Sequence, residues 1–83
     1  MEKSAEEAAV ERVYGDGVLF WWVIGDGMGH YYTGDEHGAS TRKVLEAKQY
    51  MSNSAAWAEF LVVRRQQGHR WGTISLVVEG RDF

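Results

Sequence analysis

The sequence predicts an α+β domain: a small, mostly antiparallel sheet packed on one long helix, with a short N-terminal helix or arm. Three features carry that expectation. Val18 to Ile24 is an unbroken run of β-branched, aromatic and aliphatic residues, too short for an ordinary helix and rich in strand formers. Residues 53–67 repeat apolar side chains at helical spacing. Residues 73–79, TISLVVE, alternate with a period of two, which places Ile74, Leu76 and Val78 on one strand face.

Residues 1–13 read as a short helix or arm. Ser4 and Glu7 fit a capping box, Glu6 and Glu7 favour the positive end of the helix dipole, and Ala8, Ala9 and Val13 form a thin apolar stripe. Residues 18–33 form a hairpin. Asp26-Gly27 is the turn signal, since a type I′ turn needs positive φ at both central residues. With those two residues as the loop, Trp22 stands opposite Tyr31 and Trp21 opposite Tyr32. The three glycines at 25, 27 and 29 allow other loop lengths.

Both faces of the first strand are apolar, with Leu19, Trp21 and Val23 on one and Val18, Phe20, Trp22 and Ile24 on the other. A sheet with one wet face alternates. Either this strand is central and covered twice, or one aromatic face awaits a partner.

Residues 34–38 are a polar loop. From Ala39 to Ala47 two courses are open: a helix capped by Ser40 or Thr41 with Leu45 as its apolar contact, or an extended connection to a short strand at Ala47–Met51. The second is favoured, because Ser52-Asn53-Ser54 begins a new helix. That helix runs from Asn53 to Gln67, presents Ala56, Trp57, Phe60, Leu61, Val63 and Arg64 on one face, and ends at Gly68. Gly80 closes the last strand, and Arg81-Asp82-Phe83 is a tail.

The chain of 83 residues is one domain. It has no cysteine, which excludes disulfides and thiolate metal sites. No secretory core or membrane-length apolar run is present, and a cytoplasmic location is expected. The net charge of −3 divides unevenly. Residues 1–38 hold eight acids against two bases, and residues 39–83 hold seven bases against four acids.

Chemistry-bearing clusters are few. His30, Asp35, Glu36 and His37 are metal-ligand types at a spacing that fits no known ligand pattern, so neither metal nor cofactor is expected. The glycines at 25–29 lack the phosphate-loop string and precede no helix. Nothing marks an activated nucleophile, and no catalytic residue is assigned. Arg64, Arg65, Arg70 and Trp71 place positive charge beside an aromatic, the elements of a nucleic-acid contact; dipole-complementing cations beside a core tryptophan explain the same residues.

The short glycine-turned hairpin with its aromatics, the approach from Leu45 through Ala47 to Tyr50, the serine-led helix from Ser52 to Leu61 and the closing strand resemble small β-β-β-α-β domains. Such domains are common among phage and prophage accessory proteins, anti-CRISPR proteins included. The resemblance covers residues 18–79 and is one of pattern. It implies a non-enzymatic protein that binds and inhibits a host defence or nucleic-acid-processing complex.

Four tryptophans and four tyrosines are also types favoured at binding hot spots. The expected contact surface is Trp21 or Trp22 with Tyr31 or Tyr32, with Asp35 and Glu36 facing a basic partner. The alternative is a nucleic-acid module built on residues 64–71. Monomer and homodimer both remain open.

Overall fold

A computed structural model describes residues 5–34, 39–79 and 81–82. The chain forms helix α1 (Ala5–Tyr14), strands β1 (Phe20–Gly25), β2 (Tyr31–Tyr32) and β3 (Ser40–Thr41), helix α2 (Asn53–Gln67), and strands β4 (Thr73–Val78) and β5 (Arg81–Asp82). The sheet is antiparallel in the order β3-β2-β1-β4-β5. The α+β class is as the sequence predicts.

β1 is the central strand and is covered on both faces. On one face Ile24 and Trp22 join Tyr32, Ile74 and Trp71 beneath Ala56, Phe60 and Val63 of α2. On the other, Val23 and Val77 are buried with Ala47, flanked by Trp21, Tyr31 and Val44. The period-two pattern therefore understates β4: Val77, on its second face, is as fully buried as any residue described.

The hairpin register differs from the expected one. Gly25 pairs with Tyr31, so the loop is Asp26 to His30, and on that side of β1 Trp22 lies opposite Tyr50 instead of Tyr31. The reason is Asp26. Its Oδ1 accepts hydrogen bonds from the backbone N–H of Met28 at 2.7 Å and of His30 at 3.1 Å, which stabilises a wider loop than the two-residue turn. Gly25 also meets a packing demand, since a Cβ there would lie 2.8 Å from Thr73 Oγ1.

Residues 40–51 combine both expected courses. After β3, a 3-10 turn at Val44–Glu46 is steadied by Thr41, whose Oγ1 accepts from the Lys43 N–H and donates to Glu46. The chain then extends, and in place of a strand at 47–51 Tyr50 exchanges two backbone hydrogen bonds with Trp22 while the Lys48 N–H donates to the Tyr32 carbonyl. β2 is too short to reach that part of β1, and Tyr50 fills the gap. The expected C-terminal tail is instead β5, paired with Val77 and Val78.

α2 has the predicted bounds. Ser52 Oγ accepts from the Ala55 N–H, and Gly68, at φ 78°, satisfies the Arg64 carbonyl. The buried face is narrower than the sequence stripe: Ala56, Phe60 and Val63 are buried, while Trp57 is 48 % exposed. α1 lies on the α2 side of the sheet. Its buried residue is Val10 rather than the predicted stripe of Ala8, Ala9 and Val13, which are exposed. Glu6 anchors it: Oε1 accepts from the Asn53 N–H at 2.8 Å and Oε2 from the Trp22 indole N–H at 3.3 Å. One carboxylate thus caps the first turn of α2 and ties α1 to the central strand.

Glu6→Ala is expected to lower stability by about 1.5–3 kcal/mol in urea denaturation, the range for hydrogen bonds to a charged group. The Tyr50 hydroxyl is buried and has no hydrogen-bond partner among the described residues. Tyr50→Phe should therefore leave stability unchanged or raise it by about 1 kcal/mol, read by the same measurement.

Candidate functional site

The aromatic residues expected at a partner surface do not form one surface. Trp21 and Tyr31 pack with the core on one side of the sheet, and Trp22 and Tyr32 with the core on the other. Tyr32 is buried, and its ring meets Trp71 edge-on at 5.6 Å. These residues cover β1 on both faces: Tyr32 is buried, and Trp21, Trp22 and Tyr31 are half-buried. Asp35 and Glu36, the expected acidic contacts, lie outside the described residues, as does His37.

The nucleic-acid alternative loses its stacking aromatic. Trp71 is 0 % exposed: its indole N–H donates to Gln67 Oε1 at 3.0 Å, and the Arg70 guanidinium lies 4.8 Å from a ring centroid. Burial under the end of α2 leaves no ring face for a base. The arginines remain at the surface but are engaged locally. Arg64 lies over Phe60 and against His69, Arg70 donates to Ser40 Oγ, and Arg65 is exposed. Sequence reasoning missed Arg42, which the β3 register brings to His30, donating to Nε2 at 3.2 Å.

His30 Nδ1 in turn lies 3.2 Å from Asp26 Oδ2. The Met28 N–H, above all, and the His30 N–H and imidazole hold the Asp26 carboxyl below its ordinary value of 3.8, against an opposing push from burial. This network orders the hairpin loop. Among the described residues no three His, Asp or Glu side chains gather as metal ligands. Burial, with Glu59 and Tyr32 adding to it, pushes the Tyr50 hydroxyl well above the ordinary tyrosine value, so it stays neutral and is no proton acceptor.

The feature that sequence reasoning did not find is a trough of about 480 Å³ between α1, the sheet and the start of α2. Its floor is Trp22 and Leu76, which face each other across β1 and β4. One bank is α1, through Glu6, Ala9, Val10, Val13 and Tyr14; the other begins at Asn53. Trp57 and Leu61 follow Asn53 at four-residue steps and continue that flank of α2. Val13 is 72 % exposed and Leu61 56 %. The sequence hint was the width of the α2 stripe, more than one helix face buries.

Comparison with known proteins gives no match to this chain among family models, curated proteins or solved structures. Among the described residues no helix is long and apolar enough to cross a membrane.

Because the Asp26 carboxyl is depressed in the folded chain, its charge contributes stability above the ordinary value and loses it as pH falls through the folded one. Wild type should therefore be more stable than Asp26→Ala at neutral pH, with the difference shrinking below pH 3.8. Urea titrations across that range check it; a difference still undiminished at about pH 2.5 would show that the charge does not hold the loop.

Proposed function

We propose that this chain is a non-enzymatic protein-binding domain that docks through the α1–α2 side of its sheet. The observation that carries the reading is the apolar trough with exposed Val13 and Tyr14 on its α1 bank, together with the exposed Trp57 and Leu61 further along α2. A small domain has little core to spare, and apolar side chains grouped around a concavity mark an interaction site. Trp57 is a favoured hot-spot type, here held edge-on against Phe60 at 5.3 Å.

The surface is displaced from the one first expected, but the class of function is the same. The narrower reading, a phage-type inhibitor of a host defence or nucleic-acid-processing complex, rests on the pattern of residues 18–79 and sets which lysate to test first. Monomeric and dimeric forms are both compatible with this surface.

The test uses tagged wild type and the double variant Val13→Ser/Leu61→Ser, whose sites are exposed, so its thermal midpoint should be nearly unchanged. Wild type is expected to retain a stoichiometric protein from bacterial lysate that the double variant loses. Fluorescence anisotropy with short single- and double-stranded oligonucleotides should show no binding near physiological salt. Recovery of no protein, together with micromolar or tighter oligonucleotide binding that Arg65→Ala/Arg70→Ala abolishes, would overturn the reading in favour of nucleic acid.

A further inference from the structure

His30 is held between two groups that demand opposite things of its ring. Nδ1 lies 3.2 Å from Asp26 Oδ2, and a carboxylate accepts, so Nδ1 carries the proton. Nε2 lies 3.2 Å from Arg42 Nε, and a guanidinium only donates, so Nε2 carries the lone pair. The neutral ring satisfies both partners in that one tautomer. Asp26 is itself fixed by the Met28 and His30 N–H groups. The contacts thus run from the hairpin loop across to the residue that follows β3.

β3 is a two-residue strand at the sheet margin, paired with β2 at Tyr31 and Tyr32. Arg70 adds a hydrogen bond to Ser40, and Thr33 one to the Ala39 carbonyl. Beyond β3, Arg42 is exposed, and His30 is its one side-chain partner among the described residues. The chain that follows belongs to the second core: Val44 and Ala47 pack with Val23 and Val77, beside the half-buried Trp21 and Tyr31. It is pinned again by the backbone bonds of Lys48 to Tyr32 and of Tyr50 to Trp22. Residues 42–47 therefore form a strap over this sheet face, fastened to His30 at the near end and to the sheet at the far end.

A second proton on the imidazole changes its two contacts in opposite senses. The Asp26 contact becomes an ion pair and is kept. Nε2 becomes a donor, and at hydrogen-bond distance it then faces another donor and another positive charge. The neighbouring groups do not compensate. Arg70, which reaches Ser40, is also cationic, and Lys43, beside Arg42, lies 3.9 Å from Glu46. Gly25 of β1, Thr73 of β4 and Tyr31 of β2, which adjoin the loop, carry no charge. Asp26, held below its ordinary value of 3.8, keeps its charge in mild acid.

We propose that His30 is a pH-responsive clasp on this strap: neutral, it holds Arg42 against the hairpin; protonated, it lets Arg42 go and loosens residues 42–47 over Trp21, Val23 and Val77. The face concerned is the one turned away from α2, so the inference is independent of docking at the trough.

The experiment follows the isotope-labelled full chain by NMR between about pH 8 and about pH 5, the span in which histidine side chains change charge. At the upper pH the His30 ring should be the Nδ1–H tautomer. Backbone order parameters of Arg42, Lys43 and Val44 should be near the rigid value of about 0.85 there and fall below about 0.6 at the lower pH, while those of Lys48 and Tyr50 stay high. Arg42→Met and His30→Phe should each give the low values at both ends of the range. The pH step should persist in His37→Ala and in His69→Ala, which remove the other two histidines of the chain. Circular dichroism checks that each variant is folded.

An Nε2–H tautomer at the upper pH, order parameters that do not change with pH, or a step that survives in Arg42→Met would each overturn the inference. Loss of the step in His37→Ala or His69→Ala would assign it to that histidine and overturn the role of His30.

Discussion

A strand that is apolar on both sides cannot lie on the outside of a sheet with one wet face. β1 is such a strand, and much of the fold follows from sheltering it. It takes the middle of the sheet, with β2 and β4 as neighbours. One face is closed by α2, and the other by the short segment around Val44 and Ala47. The Tyr50 backbone completes the pairing where β2 stops. Placing apolar side chains on two sides lets 83 residues bury two clusters instead of one.

That same requirement decides which aromatic residues are available to a partner. Trp21, Trp22, Tyr31 and Tyr32 stand next to one another in sequence as two adjacent pairs. Adjacent strand positions point to opposite faces, so each pair is split between the two cores. Trp71 is drawn under the end of α2 for a similar reason: it sits between Tyr32 and Gln67 and closes the core at that end. Exposed apolar side chains lie instead on α1, where Val13 and Tyr14 line the trough, and on α2 at Trp57 and Leu61, with Leu19, Met28, Leu45 and Met51 exposed elsewhere. α1 is held in place by Val10 and by the two hydrogen bonds of Glu6.

The long-range order of the fold was legible because it is written in periodicity. The α2 stripe, its serine cap and its glycine end gave Asn53–Gln67 directly, and the alternation from Thr73 gave β4. What was not legible depends on single side chains acting at a distance. Asp26 widens the hairpin loop through two hydrogen bonds that a turn propensity does not encode, and this moves the partner of Tyr31 from Trp22 to Gly25. The β5 pairing follows a turn through Glu79, a residue with φ of 48° that ordinary turn signals do not favour. The candidate site was least legible of all. The trough is a gap between α1, the sheet and the start of α2, and no local pattern in any of them records how far apart they pack.

The sheet ends on both sides in strands of only two residues, Ser40–Thr41 and Arg81–Asp82. Each offers a visiting strand a ladder of at most one or two hydrogen-bonding residues. Growth of the sheet by strand addition, whether into a stacked aggregate or by capturing an extended peptide, finds little template in these two strands. Of the long strands, β1 has a neighbour on each side, while β4 is paired on its outer side only at Val77 and Val78. The most aggregation-prone segment, VLFWWVI, is thus held between β4 on one side and β2 with Tyr50 on the other, away from either margin.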